Sequence, residues 1–187
     1  MTKTKRAILR VVMSLFDPLG FLCNCTVRAK ILLQDVLRSG IGWAEKVAGR
    51  QLKKWTEWIS FLLALSNVTV PMCYSLEMRH RVRVDLHLLC DASEQACAAV
   101  AYWRITTQDK TEVAFSMGKS RVAPLKPMSI CRLELQAAVM GTRLAKSVYD
   151  GHKLGVDEMN FWTDSRTVLC RIRSDARNFK QFVSNRV

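Results

Sequence analysis

Hydrophobic residues change their spacing near residue 82. Before that point they recur every three or four positions, as in an amphipathic helix, and after it they first alternate with polar residues, as in a half-buried strand. No glycine-rich linker and no internal repeat separates the two regions. The pattern predicts a helical region over residues 1–80 and a mixed α and β region over residues 81–187.

The first region contains three apolar stripes at helical spacing. The first stripe ends at Asp17-Pro18-Leu19-Gly20, because proline disfavours the helical conformation of the preceding residue and glycine permits a turn. Thr26 is the expected N-cap of the second helix. We predict a small helical bundle in which the tryptophans are core residues rather than a platform for stacking bases. The stripes consist of Ile8, Leu9, Val11, Val12, Leu15 and Phe16, then Val27, Ile31, Leu32, Val36 and Leu37, then Leu52, Trp55, Trp58, Ile59, Leu62 and Leu63.

The second region predicts three strands in antiparallel hairpins, a long helix, a fourth strand and a short helix. Ser129 is the expected N-cap of the long helix, which should end near Asp150, and Ser165 that of the short one, residues 166–173. Because a helical crossover leads into it, the fourth strand should lie parallel to the first and beside it. The predicted strands cover residues 82–91, 96–105, 112–118 and 159–164.

This arrangement brings three carboxylates to one end of the sheet. Asp91 and Asp164 each end a strand, and Glu134 lies on the inward face of the long helix, where a lone acid is costly unless something cationic receives it. Such oxygen ligands suit magnesium or manganese rather than zinc. Two such ions can activate a water and stabilise the leaving oxygen of a phosphodiester. Taken alone, Asp91 is equally well explained as a residue that caps a turn.

The net charge of +13 and the pI near 9.8 indicate a polyanionic partner, nucleic acid first and an acidic membrane second. An inert basic surface is the alternative. Five cations follow Asp164 and are placed to contact phosphates: Arg166, Arg171, Arg173, Arg177 and Lys180.

The seven cysteines include no Cys-x-x-Cys pair, which favours buried thiols in a reducing compartment over a disulfide framework. We therefore expect a cytoplasmic or nuclear protein that is not secreted. No apolar run approaches the length of a membrane span.

The order of Asp91, Glu134 and Asp164 on strand, helix and strand resembles the ribonuclease H fold. More narrowly, four segments resemble the BEL/Pao retrotransposon polyprotein, a family that also carries a peptidase name. They are Phe16-Asp17-Pro18-Leu19-Gly20, Lys119-Ser120-Arg121-Val122-Ala123-Pro124-Leu125-Lys126-Pro127, Arg132-Leu133-Glu134-Leu135 and Ser184-Asn185-Arg186-Val187.

The resemblance implies a fold of α+β or α/β class, in which a helical thumb or connection region precedes a ribonuclease H-like mixed sheet. It implies that Asp91, Glu134 and Asp164 hold two magnesium or manganese ions and hydrolyse the RNA strand of an RNA–DNA hybrid. It adds Lys119, Arg121 and Lys126 to the nucleic-acid contacts. A reverse transcriptase palm upstream and further polyprotein segments downstream are the other expected partners, if all are expressed in one chain.

In the resembling family a fifth strand, a fourth metal-binding aspartate and a final helix follow the position of Val187. We therefore expect a weak or inactive enzyme with an exposed edge on the fourth strand. A non-catalytic nucleic-acid-binding remnant and a structural relic stay open beside the enzyme. The sequence contains no aspartic peptidase site at these residues, because Asp164-Ser165 is followed by Arg166 where an aspartic peptidase needs glycine.

Overall fold

The computed structural model describes residues 3–79, 82–152 and 154–187. Within it the chain forms two compact units, Met1–Val70 and Pro71–Val187. The first unit is helical, and the second contains a mixed sheet with helices, as the sequence predicts.

Three helices build the first unit: α1 (Lys5–Ser14), α2 (Cys23–Arg38) and α3 (Gly49–Ala64). Trp55 and Trp58 are buried in its core, and the indole N–H of Trp58 donates to the Cys25 carbonyl at 2.9 Å. These tryptophans are therefore core residues. The remaining fully or nearly buried apolar residues are Ile8, Val12, Cys25, Ala29, Leu32, Leu33, Val36 and Val47.

The predicted N-cap of α2 is wrong. The helix begins at Cys23, and Thr26 lies inside its first turn, where its hydroxyl donates to the Cys23 carbonyl at 3.2 Å. The preceding turn explains the early start. Gly20 adopts a φ of 75°, and the Asp17 carboxylate accepts the backbone N–H of Leu22 at 2.9 Å. Leu22 occupies the N-cap position without a side-chain cap, and its own backbone N–H is the group that Asp17 accepts.

The second unit contains a four-stranded sheet in the order β3-β2-β1-β4. Strands β1 (Arg83–Ala92), β2 (Ala96–Thr106) and β3 (Thr111–Val122) are antiparallel neighbours, and β4 (Glu158–Trp162) lies parallel to β1. The long helix α4 (Ile130–His152) connects β3 to β4, and the short helices α5 (Arg166–Ile172) and α6 (Gln181–Ser184) follow. The predicted parallel neighbour of β1 is confirmed.

Helix α4 packs across one face of the sheet. Gly141 makes this possible, because a Cβ atom at that position would lie 2.3 Å from the Sγ atom of Cys90 on β1. Burial raises the pKa of the Cys90 thiol to about 11. The core between helix and sheet consists of Val84, Leu86, Leu88, Cys90, Cys97, Ala99, Ala101, Trp103, Ile105, Ala137, Met140, Leu144, Ala145 and Val148.

The segment before β1 belongs to the second unit. The Tyr74 hydroxyl and His152 Nε2 are 2.7 Å apart, and the Ser75 hydroxyl donates to Glu112 on β3. The Ser75 hydroxyl and Lys110 together hold the pKa of the Glu112 carboxyl below its usual range. These contacts put the boundary between the units at residue 70, earlier than the predicted boundary at residue 80. Residues 80 and 81 lie outside the described part of the chain.

Strand β3 runs to Val122, farther than the predicted end at residue 118, so Lys119 and Arg121 lie on a strand. Among the described residues, no disulfide joins the cysteines, and no helix is both long and apolar enough to cross a membrane.

Candidate functional site

Two aspartates meet at one end of the parallel strand pair. Asp91 lies next to the last residue of β1, and Asp164 lies just beyond the end of β4. The register pairs Leu89 of β1 with Trp162 of β4, so the segments that follow these residues lie side by side at the same edge of the sheet. Asp91 and Asp164 are exposed and line a pocket of about 470 Å³, which we call the acid pocket. Its other lining residues are Leu89, Cys90, Ala98, Ala99, Val100, Trp162 and Thr163.

Glu134 is connected to this region by a hydrogen bond with Ser165, the residue that follows Asp164. It is half-buried near the start of α4, and its Oε2 atom accepts a hydrogen bond of 2.5 Å from the Ser165 hydroxyl. The same serine oxygen accepts the Val168 N–H at 3.3 Å and so caps α5, as predicted. The side-chain partner of Glu134 within the protein is thus a neutral hydroxyl group, and the cation that the sequence predicts for this acid stays a prediction. Ser165 therefore joins the helix of Glu134 to the residue that follows Asp164.

The three carboxylates do not converge on one point. In the described ranges, no group of three or more histidine, cysteine, aspartate or glutamate side chains could hold a metal ion. Glu134 is bonded to Ser165, and the Oδ1 atom of Asp91 lies 2.6 Å from the Ala92 backbone nitrogen, which donates to it. The donor chemistry nevertheless fits a hard divalent cation, because two exposed carboxylates open onto one pocket. The residues that fit such a cation are Asp91 and Asp164, whereas Glu134 is bonded to the hydroxyl group of Ser165.

The eight predicted phosphate contacts fall into three groups. Lys126, Arg166, Arg173 and Lys180 are exposed. Arg171 and Arg177 instead have partners within the protein. Arg171 donates to the Cys131 carbonyl at 3.0 Å, which ties α5 to the start of α4. Arg177 pairs with Asp175 at 3.1 Å, and hydrogen bonds from its backbone and guanidinium lower the pKa of that carboxyl.

Lys119 and Arg121 lie away from this group, on the side of β3 that adjoins α4. There they share a second pocket with Arg143 and Arg186, two cations that sequence reasoning did not single out. The spacing of Gln136, Val139 and Arg143 indicates that they share one side of a helix, and this pattern could have pointed to Arg143. No sequence pattern points to Arg186, because its position depends on the path of the chain after α5.

The sheet order, the long crossover helix and the acids at the strand ends define the second unit as ribonuclease H-like. A model of the family described as Pao retrotransposon-like RNaseH-like domain matches residues 4–165, and the chain belongs to that family. The match extends over the helical unit as well as the sheet. A search of curated proteins finds none that matches the chain.

Proposed function

We propose that the second unit acts on RNA–DNA hybrids as a ribonuclease H-type nuclease that hydrolyses the RNA strand. The observation that supports this most is the acid pocket, where Asp91 and Asp164 share one open cavity at the end of two parallel strands. The family membership and the net charge of +13 both favour a nucleic-acid substrate.

Asp91 and Asp164 would hold magnesium or manganese, with Glu134 as the third carboxylate. When bound, such ions supply an activated water and stabilise charge on the leaving oxygen. Hydrolysis joins the water oxygen to phosphorus and breaks the bond to the 3′ oxygen. The products are a 3′-hydroxyl and a 5′-phosphate on the cleaved RNA.

The chain itself would orient the acids and the strand. Ser165 fixes Glu134 beside the Asp164 segment, and the exposed cations Arg166 and Arg173 would bind backbone phosphates without reading base sequence. Contacts to 2′-hydroxyl groups would separate RNA from DNA. Leu89, Val100 and Trp162 form apolar walls beside the two aspartates.

A second candidate function is non-catalytic binding of nucleic acid. The observation that favours it is that Glu134 is bonded to Ser165 while no group of three acids is assembled in the described residues. In that case the cations bind phosphates, and the acid pocket takes no part in chemistry.

Cleavage and binding of one labelled RNA–DNA hybrid separate the two candidates. The protein, Asp91→Asn and Asp164→Asn are assayed with magnesium or manganese at low salt. Asp109→Asn is the matched control, because this exposed aspartate lies in the β2–β3 turn at the other end of the sheet. Cleavage to 5′-phosphate products that only the two pocket variants lose supports the nuclease. Salt-sensitive binding without cleavage supports the second candidate, and the absence of both overturns both.

A further inference from the structure

A pocket of about 300 Å³ lies between β3, α4 and the end of the chain. Four cationic side chains line it: Lys119, Arg121, Arg143 and Arg186, accompanied by the amides of Gln136 and Asn185. We call it the basic pocket. It shares no lining residue with the acid pocket.

Regular secondary structure brings these cations together. Lys119 and Arg121 are paired across the sheet with Ala99 and Cys97, both of which are buried under α4, so their side chains lie on the same face. Residues two apart on a strand share a face at a spacing of about 7 Å. Gln136 and Arg143 lie on one side of α4, seven residues apart, which is two helical turns. The two rows form opposite walls of the pocket.

The pocket has no acid to balance its charge. Its lining includes no carboxylate, and none of the four cations has an ion-pair partner in the described ranges 3–79, 82–152 and 154–187. Like charges in one cavity repel each other, so the arrangement is costly until an anion lies between them. The floor is apolar, since Val139, Met140 and Cys97 line it, and this weakens the screening by water.

Arg186 is held in place before any ligand arrives. Its Nη1 atom donates to the Phe182 carbonyl at 2.7 Å, and its guanidinium lies 3.9 Å from the centre of the Phe182 ring. A guanidinium has five N–H donors, so most of them stay available. On the opposite wall, Arg121 is paired with Cys97 across the sheet, and both residues line the pocket. Groups that are already fixed lose little conformational entropy when they bind.

We propose that the basic pocket binds a phosphate group. Planar guanidinium groups match the oxygens of phosphate, and the fixed arginine adds geometric selectivity to charge. The phosphate belongs either to the backbone of a nucleic acid or to a small phosphorylated compound. The first source rests on the function proposed above, and the second does not.

Inorganic pyrophosphate is the probe for the first experiment. Calorimetric titration is done on the full chain in EDTA at constant ionic strength. We expect Arg143→Gln to weaken pyrophosphate binding about tenfold, as for loss of one charge-assisted contact. Arg50→Gln on α3 is the matched control, since it removes the same charge from an exposed position outside the pocket. Lys119→Gln should repeat the loss, and melting curves confirm that each variant is folded.

The second experiment identifies the source of the phosphate. Fluorescence anisotropy measures the affinity of a labelled RNA–DNA hybrid for the same variants, again in EDTA. If Arg143→Gln weakens hybrid binding more than Arg50→Gln does, the pocket takes a backbone phosphate. If the two variants weaken it equally while pyrophosphate binding is lost only in Arg143→Gln, the pocket takes a small phosphorylated compound.

Equal pyrophosphate binding by Arg143→Gln and Arg50→Gln, or none by the unaltered protein, overturns the proposal. Neither experiment needs cleavage. Asp91→Asn should bind pyrophosphate as the unaltered protein does, so a failure here and a failure of the nuclease are distinguishable.

Discussion

The two faces of the sheet use the same strands but have opposite surroundings. Leu88 and Leu89 are neighbours on β1, yet Leu88 is 0% exposed under α4 and Leu89 is 44% exposed on the open face. On the open face, Trp162 stacks on His87 with ring centres 6.0 Å apart and donates to it at 3.0 Å. These rings line a shallow apolar cavity, which also contains Tyr102 and Val113.

This difference teaches that alternation in a strand predicts the covered face for most residues but not for all of them. The covered face of β1 carries the apolar residues Val84, Leu86, Leu88 and Cys90, whereas Leu89 is an apolar residue on the otherwise polar open face. The acid pocket takes lining residues from both faces, because Ala98 and Val100 of β2 lie on the open side and Ala99 between them lies on the covered side.

The largest expected effect is on the covered face. We expect Leu88→Ala to lower the free energy of unfolding by about 2–5 kcal/mol, because it leaves a cavity in a closely packed core. Urea unfolding followed by tryptophan fluorescence measures this. A loss below about 1 kcal/mol would show that α4 packs loosely on the sheet.

The next effect tests how closely α4 approaches β1. Gly141→Ala should cost about 1–3 kcal/mol, since its Cβ atom would lie 2.3 Å from Cys90 Sγ. Gly151→Ala in the same helix is the control, because nothing lies within 4 Å of a Cβ atom there. Adding Cys90→Ala to Gly141→Ala should restore part of the loss. If the two glycine variants behave alike, the close contact does not exist.

The third effect is a loss of stability at high pH, caused by the buried thiol of Cys90 on the covered face. The pKa of Cys90 is about 11 in the folded chain against 9.0 for an ordinary thiol. A raised pKa means that its contribution to stability is complete below pH 9 and is lost as the pH rises towards 11. By pH 10 the loss should be about 1.4 kcal/mol. Chemical unfolding of the protein and of Cys90→Ala at pH 8 and pH 10 measures it, and equal slopes in both proteins would refute the assignment.

The smallest effect is expected on the open face. Leu89→Ala should change the free energy of unfolding by less than about 1 kcal/mol, because the side chain already contacts water. The same urea experiment compares it with its neighbour Leu88→Ala. A cost as large as that of Leu88→Ala would mean that the open face is covered in solution.

Sequence reasoning predicted the elements that periodicity controls. The three helices, the parallel neighbour of β1 and the cap at Ser165 all follow from spacing and from residue type at helix ends. The predicted N-cap of α2 was wrong, because the helix begins earlier, after a turn in which the Asp17 carboxylate accepts the Leu22 N–H. Such a hydrogen bond depends on the path of the turn, which the spacing of apolar residues does not predict.

The candidate site was predictable to the level of topology. Parallel strands carry Asp91 and Asp164 to one edge, and the sequence predicts that edge. It does not predict that Glu134 bonds to Ser165, because the side chains involved are 31 residues apart and their rotamers depend on packing. The basic pocket was missed for the same reason, since Arg186 reaches it only after the chain has turned back past α5.

The proposed nuclease activity depends most on the acid pocket being a divalent-cation site. Electron paramagnetic resonance of manganese measures this directly, because the signal of the free ion decreases as the protein is added. We expect the protein and the control Asp109→Asn to bind manganese, and Asp91→Asn and Asp164→Asn to lose most of that binding. Equal binding by all four proteins, or none by any of them, would contradict the assignment.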